Sequence, residues 1–250
     1  MPGIQRYVSH ELTHFVGRGK TEEEQYDLLV NKIIKAGWLM HPPYDLKEKA
    51  GWEVRFDALI SKNELVNPRM ICFCDIPVGD LSIHMEKYSR FALSFRKAFL
   101  IEKGANPVHY IAKNSTIVGS LQARTTRAEF YDQKTGNLLR SLHMLAFSLM
   151  PKPPDGTGKI HVTSEEAPLA MHLQDIASFL EEEVFSLIKF FDDSKSEDDP
   201  ENYYMEREWR IMGHVNFLIE DVYRVILPES FVKRFRKDVA DFNGQVTFAE

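Results

Sequence analysis

Two glutamates and an arginine alternate near the carboxyl-terminal end of the chain: Glu206, Glu208 and Arg210. The surrounding segment, 203–212, is predicted to be a strand, and alternate side chains of a strand lie on the same face. A carboxylate held on such a face can bind a sugar hydroxyl and stabilise the positive charge that develops at an anomeric carbon, so the pattern indicates glycosyl-transfer chemistry. A purely structural interpretation is equally open, in which Arg210 pairs with Glu208 on a solvated sheet face.

A histidine, His14, lies in a second segment with β-forming residues, 12–16, close to the amino terminus. If this segment is a strand, Thr13 and Phe15 face one side and His14 faces the other. The imidazole could then hydrogen-bond a ribose hydroxyl while Phe15 packs inward. The alternative is a structural histidine whose ring nitrogens are hydrogen-bonded in the core or at the surface.

Two cysteines, Cys72 and Cys74, alternate along a third predicted strand. They are too close along one strand to form a useful disulfide, and no second pair completes a zinc site. Their pattern is typical of small buried hydrophobic residues, because a nucleophilic role requires a neighbouring base. His41, Asp80 and His84 match no compact ligand spacing, so no metal is expected.

A strand followed by a helix must position His14. Thr21 and Glu24 form a capping box, and an apolar stripe at helical spacing follows it up to Gly37. Further strands are predicted at 69–76, 91–95, 108–112, 203–212, 222–227 and 245–248. Helices are predicted at 81–88, 97–103, 168–191 and 230–242, and 114–150 is predicted to be mainly helical with a turn at 132–137.

Strands at both ends with helices between them favour an α+β fold. The prediction is a single domain over 1–250, with a mixed or antiparallel sheet flanked by helices and a mobile acidic loop at 192–201. The 250 residues are 44% hydrophobic and carry a formal net charge of −6, which argues against non-specific binding to nucleic acid. Two basic clusters, Arg124 with Arg127 and the run 233–237, are expected to be solvated surface.

The chain is expected to be soluble and cytoplasmic. Its first residues lack the apolar segment of a signal peptide, and no apolar run reaches the roughly 18 residues of a membrane helix. The sequence also lacks the glycine-rich dinucleotide and phosphate loops, the Gly-x-Ser-x-Gly elbow and the His-Glu-x-x-His motif. These absences disfavour Rossmann dehydrogenases, P-loop NTPases, α/β-hydrolases and the common metalloproteases.

Three blocks together resemble a known family. The first is LTHFV at 12–16 with IIKAG at 33–37, and the third is YYMEREWRI at 203–211. The second combines ICFCDIP at 71–77, YSRFALSF at 88–95 and GANPVHY at 104–110. Their order and spacing resemble the abortive phage resistance proteins of the AbiGi type, and this resemblance implies a role in antiphage defence.

A looser similarity, to ADP-ribosyltransferases, implies chemistry. In that plan His14 would hold the ribose of NAD, Tyr88 or Phe73 would stack on nicotinamide, Glu208 would be the catalytic glutamate and Glu206 would assist the acceptor. Phe15 and Arg210 would complete the cofactor site. NAD would then be the substrate, and a protein or a nucleic acid would accept the ADP-ribose.

Two functional hypotheses follow. The first is an NAD-dependent ADP-ribosyltransferase-like effector of phage defence, with His14 and the two glutamates in one pocket. The second is a non-catalytic antitoxin or sensor that binds a partner protein through the helix at 168–191 and the acidic loop. A nuclease is a third possibility, but the sequence offers no clustered metal ligands for it.

Overall fold

The structure, a computed structural model, describes residues 9–41, 51–117, 125–150, 167–197, 199 and 201–249. The chain divides into two compact units. The first comprises Met1–Gly51, Arg69–Val108 and Ser194–Glu250, and the second comprises Trp52–Pro68 and His109–Asp193. Helices and a mainly antiparallel mixed sheet confirm the α+β prediction. One domain over 1–250 and an ADP-ribosyltransferase-like fold stay predictions.

The first unit is built on a seven-stranded sheet with the order β13-β12-β6-β1-β5-β10-β7. All neighbours are antiparallel except β12 and β13. Its described residues also form a two-stranded sheet, β2 with β11, and four α-helices. Its elements are β1 (Glu11–Phe15), α1 (Glu22–Asp27), β2 (Trp38–Leu39), β5 (Met70–Cys74), α2 (Ser82–Lys87), β6 (Ala92–Arg96), α3 (Lys97–Glu102), β7 (Asn106–Pro107), β10 (Glu208–Met212), β11 (Val215–Asn216), β12 (Val222–Leu227), α6 (Val232–Asp238) and β13 (Gln245–Phe248).

The second unit has its own core and two small sheets. Strands β3 and β4 pair antiparallel, and β8 and β9 pair parallel. Two long helices, α4 and α5, pack against each other. Its elements are β3 (Trp52–Val54), β4 (Val66–Pro68), β8 (His109–Ala112), α4 (Arg127–Leu149), α5 (Ala167–Phe179) and β9 (Ile188–Phe191).

The opening strand and helix form as predicted. Thr21 and Glu24 make the capping box, with the Thr21 side chain accepting from the Glu24 amide. After Asp27 the helix widens into a π-helical segment, Leu28–Ile34, and it ends before Gly37, whose φ of +68° suits a glycine. The stripe of this helix is buried in the core of the first unit, against one face of the sheet (Tyr26, Leu29, Val30, Ile33 and Ile34).

The predicted strand over 203–212 is wrong in its first half. Residues Tyr203–Glu206 form a 3-10 turn, and Arg207 adopts a left-handed conformation with φ of +45°. This conformation interrupts the extended chain, so the strand begins only at Glu208. Glu206 therefore does not belong to the alternating face of Glu208 and Arg210.

The predicted turn at 132–137 is also wrong, because α4 runs through it without a break. Asp132 accepts hydrogen bonds from the amide and the hydroxyl of Ser61, at 2.9 and 2.7 Å. At Gly136 an added Cβ would lie 2.6 Å from the carbonyl oxygen of Phe56. These turn-like residues are thus explained by side-chain bonding and by close approach of another segment.

We expect Gly136→Ala to destabilise the protein by about 1–3 kcal/mol, because a rigid backbone carbonyl must move to admit the methyl group. Helix propensity alone would give the opposite result, a gain of about 1 kcal/mol. Urea unfolding of both proteins measures the difference. A variant more stable than the wild type would contradict the packing argument.

The predicted helix over 168–191 ends early. Helix α5 stops at Phe179, π-helical (Leu180–Val184) and 3-10 (Phe185–Leu187) turns follow, and Ile188–Phe191 is strand β9. Pairing with β8, a non-local contact, decides the conformation of these last four residues. In the acidic segment 192–201, Asp193 accepts from the Asn114 amide at 3.0 Å, and residues 198 and 200 lie outside the described part.

Candidate functional site

His14 is held in the middle of the seven-stranded sheet. It lies opposite Leu93 of β6, and its Nδ1 donates to the carbonyl oxygen of Cys72 at 2.8 Å. Its ring lies 5.7 Å from that of Phe73, between ring centroids. Burial lowers the pKa of His14 and outweighs the opposing effect of the Cys72 carbonyl, so the imidazole is neutral at pH 7.

Glu208 and Arg210 share one face of β10, as predicted, and pair with each other. Arg210 Nε donates to Glu208 Oε1 at 2.8 Å, and a guanidinium nitrogen lies 3.4 Å from Oε2. The two side chains are only 6% and 7% exposed. The pair is therefore buried, which differs from the solvated pair considered as the structural interpretation.

The sheet register places His14 and Glu208 on opposite faces. Glu208 lies opposite Cys74, and Cys74 lies opposite Thr13, so these three side chains share a face. His14, the next residue after Thr13, faces the other way, together with Phe73. The structure does not bring these two predicted catalytic residues together.

A different set of predicted residues does converge. The Tyr88 hydroxyl donates to Glu206 Oε1, and Lys87 Nζ donates to the same oxygen at 2.8 Å. The Phe15 ring stacks on Tyr88, with 5.9 Å between centroids. Lys87 also lies 4.5 Å above the Tyr203 ring. Burial, and then the charge of Glu206, raise the pKa of Tyr88 far above its usual value, so its hydroxyl stays protonated and donates.

Beside this cluster lies a cavity of about 270 Å³ in the first unit, the Glu206 cavity. It is lined by Ile76, Pro77, Asp80, Ile83, His84, Lys87, Glu197, Asp199, Asn202, Met205, Glu206 and Arg207. Glu208 and His14 do not line it. Sequence reasoning missed Lys87 and the cavity, because their signal is a contact between residues 118 or more positions apart.

His84 is one of the buried polar residues of this cavity, with Asn202 and Glu206. It is 6% exposed, and within the described part of the chain its Nδ1 has no hydrogen-bond partner. Burial lowers the pKa of His84 more than the charge of Glu206 raises it, so the ring is neutral at pH 7. Asp80 lines the same cavity and His41 does not. Among the residues that the structure describes, no three His, Cys, Asp or Glu side chains group as metal ligands.

Cys74 lies buried on the face of Glu208, while Cys72 is partly exposed. Burial, followed by the charge of Glu206, raises the pKa of the Cys74 thiol far above its usual range. A thiol that remains protonated is a poor nucleophile. This environment agrees with the interpretation of Cys74 as a small hydrophobic core residue.

We expect iodoacetamide at pH 8 to leave Cys74 of the native protein unmodified and to alkylate it fully in 6 M guanidinium. Peptide mass spectrometry resolves the two cysteines, and the partly exposed Cys72 serves as the internal comparison. Native Cys74 that reacts as fast as a free cysteine would show that the thiolate forms in the folded protein.

The second unit carries the largest set of exposed apolar side chains. Half of the large hydrophobic side chains that are exposed in the described part lie on α4 and α5. Leu138 and Leu145 are seven residues apart on α4, as Leu169 and Ile176 are on α5, so each pair lies on one side of its helix. We name this set the α4–α5 apolar surface: Leu138, Met144, Leu145, Phe147, Leu169, Met171, Ile176 and Phe179.

Several of the residues buried on these helices are small, although Leu139 of α4 is buried as well. Gly136 and Ala146 on α4, and Ala170 and Ala177 on α5, are fully or almost fully buried. Small buried residues permit two helices to approach closely, and the large side chains are left outside. Large exposed apolar surfaces mark interaction sites in soluble proteins. Within the described residues, no helix has the length and apolar character to span a membrane.

Comparisons with known proteins confirm the resemblance to the AbiGi family. The family model described as "Putative abortive phage resistance protein AbiGi, antitoxin" matches residues 53–244. The abortive phage resistance protein AbiGi of Lactococcus lactis subsp. cremoris is 27% identical over 183 residues, which cover 66% of this chain and 73% of that protein. No solved structure matches.

Proposed function

Because the chain belongs to the AbiGi family of abortive phage resistance proteins, we propose that it is the antitoxin of an antiphage defence module. In this proposal it binds a toxic partner protein and neutralises it without catalysing a reaction. The family description names an antitoxin, and an antitoxin of this kind requires a surface for its partner. The α4–α5 apolar surface is the observation that carries the proposal.

This surface has the chemistry of a protein interface. Phe147 is 77% exposed and Met144 is 66% exposed, although burial of each side chain would contribute about 1.5–3 kcal/mol. Aromatic residues and methionine are enriched in the cores of protein interfaces. Helix α5 also lies within the segment that the antitoxin hypothesis names as the interaction surface.

Transfer of ADP-ribose from NAD has less support. This reaction needs His14 and Glu208 beside the same dinucleotide, whereas the two residues lie on opposite faces of the sheet. In addition, the Glu208 carboxylate is buried in an ion pair with Arg210. The positions of His14 and Glu208 do not fit one NAD site. Phe73, proposed to stack on nicotinamide, is 2% exposed in the core of the first unit.

Co-expression tests the proposal. The chain is produced in a bacterial host together with each protein encoded beside its own gene, and growth and complex formation are measured. We expect one neighbour to be toxic alone and harmless with this chain, and the two proteins to co-purify. If every neighbour is harmless alone, or if the chain itself stops growth, the antitoxin proposal fails.

The same assay separates binding from catalysis. Glu208→Gln is expected to keep neutralisation at a temperature where the variant is folded, and calorimetry with NAD is expected to give no binding heat. Loss of activity in a folded Glu208→Gln protein, together with NAD binding, would instead support the transferase hypothesis.

A further inference from the structure

The Glu206 cavity has the size and lining of a receptor for one protein side chain. Its volume of about 270 Å³ lies below the ~300–1,000 Å³ of typical small-molecule sites. Apolar groups form much of its wall, and two of them, Ile83 and Met205, are 39% and 37% exposed. These partly exposed side chains would be covered by a segment that enters the cavity.

The charges of the cavity favour a cation. Four carboxylates line it, whereas Lys87 and Arg207 are the lining cations. Lys87 pairs with Glu206 at 2.8 Å, and Asp199 lies 3.7 Å from Lys195. In the part of the chain that the structure describes, Asp80 and Glu197 take part in no salt bridge. Such a site attracts basic groups and repels phosphates and other anions.

After the size and the charge of the cavity, a ring nitrogen of His84, unpaired within the described part of the chain, is a third feature that favours a bound segment. His84 lines the cavity, and its buried Nδ1 lacks a partner among the described residues. A buried polar atom without a hydrogen bond costs free energy, and a bound group that bonds to it removes this cost. The neutral ring offers one donor and one acceptor, which suits the polar groups of a peptide.

We propose that the Glu206 cavity binds a short basic segment of a partner protein. One apolar side chain of the segment fills the cavity between Ile83 and Met205, and a neighbouring lysine or arginine pairs with Asp80 and Glu197. None of its lining residues belongs to the α4–α5 apolar surface, and the proposal does not depend on which partner the antitoxin neutralises.

Three synthetic peptides test the proposal by NMR titration of the full chain: acetyl-Gly-Lys-Leu-Lys-Gly-amide, its Glu-Leu-Glu counterpart and its Lys-Gly-Lys counterpart. We expect the first to shift the amide signals of residues 80–88 and to bind at least about tenfold more tightly than either counterpart. Equal binding of the Lys-Gly-Lys peptide would mean attraction by charge alone and would overturn the proposal. Equal binding of the acidic peptide, or no binding of the basic one, would also overturn it.

Variants connect binding to the cavity. We expect about tenfold weaker binding of the first peptide to the double variant Asp80→Asn with Glu197→Gln. The same loss is expected for the single variant Ile83→Ser. Ile101→Ser is the matched control, since Ile101 is 51% exposed on α3 and does not line the cavity. These side chains are exposed, so the variants should fold, and their thermal midpoints verify this. Binding unchanged in both cavity variants would contradict the site, whatever the outcome of the toxin assay.

Discussion

Replacing Arg210 with methionine is expected to lower the free energy of unfolding by about 3–5 kcal/mol, because it removes one partner of a buried ion pair. Both side chains are less than a tenth exposed, so water reaches the remaining carboxylate poorly. Methionine keeps most of the apolar stem of arginine, which limits the loss of packing. At this chain length the midpoint of thermal unfolding should fall by roughly 6–20 °C.

Two further variants assign the loss to the buried charge. Glu208→Leu combined with Arg210→Met removes both ions and is expected to recover most of the stability, since apolar replacement of a buried ion pair is often neutral. Arg234→Met is the control for an exposed pair: Arg234 lies 2.6 Å from Glu23, and their side chains are 48% and 69% exposed. Its effect should be small. Urea unfolding of the single and double variants gives the comparison, and an Arg210→Met protein as stable as the control would show that the pair does not stabilise the fold.

The result also bears on function. If Glu208 and Arg210 serve only the fold, then loss of neutralisation in their variants must follow loss of folded protein, and cooling the assay must restore it. If Glu208 acts in catalysis, a folded variant stays inactive at every temperature. Circular dichroism beside each growth assay separates the two outcomes.

Local signals explain the parts of the fold that the sequence predicts correctly. The helix after Thr21 can be predicted from the sequence, because its signals act within a few residues. These signals are the capping box of Thr21 with Glu24 and the apolar stripe up to Ile34. Strands β5 and β6 follow from short apolar runs with turn residues beside them. The α+β class follows from these elements without knowledge of their pairing.

The wrong predictions of secondary structure occur where contacts with residues distant in the sequence determine the local conformation. Gly136 resembles a turn residue, yet it is needed for the close approach of Phe56. The segment Ile188–Phe191 continues a helical stripe, yet it pairs with β8. In both cases a long-range contact outweighs local preference.

The candidate site depends even more on register. His14 points away from Thr13 and Glu208 shares a face with Arg210, as predicted, whereas Glu206 does not belong to that face. Whether His14 and Glu208 share a face is set by the alignment of Thr13, Cys74 and Glu208 across three strands, and a shift of one residue would reverse the answer. The cluster of Tyr88 and Glu206 depends on the left-handed conformation of Arg207, which its sequence context does not reveal.

Replacement of Leu145 or of Ile176 by glutamate is expected to abolish neutralisation of the proposed toxin partner. One residue lies on α4 and the other on α5, and they are 50% and 49% exposed. A carboxylate buried in an apolar interface must give up its water, and loss of a hot-spot side chain costs about 2 kcal/mol or more, which is about a 30-fold loss of affinity. Calorimetry with the purified toxin measures the affinity, and the growth assay measures its consequence.

Ile101→Glu is the matched control, because Ile101 is 51% exposed and lies on α3, a helix of the other unit. It adds the same charge to an equally exposed isoleucine, so it should leave both binding and growth unchanged. If Leu145→Glu and Ile176→Glu also bind the toxin as the wild type does, the partner docks elsewhere. If all three variants lose binding, the added charge acts at long range and the assignment to α4 and α5 fails.

The small buried residues of the two helices make the test selective for binding. Ala146, Ala170 and Ala177 fill the buried side of α4 and α5, whereas Leu145 and Ile176 point away from that contact. Glutamate is also a good helix former, so both variants should unfold within about 0.5 kcal/mol of the wild type. Because Leu145 and Ile176 lie on the exposed sides of their helices, the proposed partner would account for their large apolar side chains. A variant that loses stability and binding together would mean that this surface belongs to the core of the second unit.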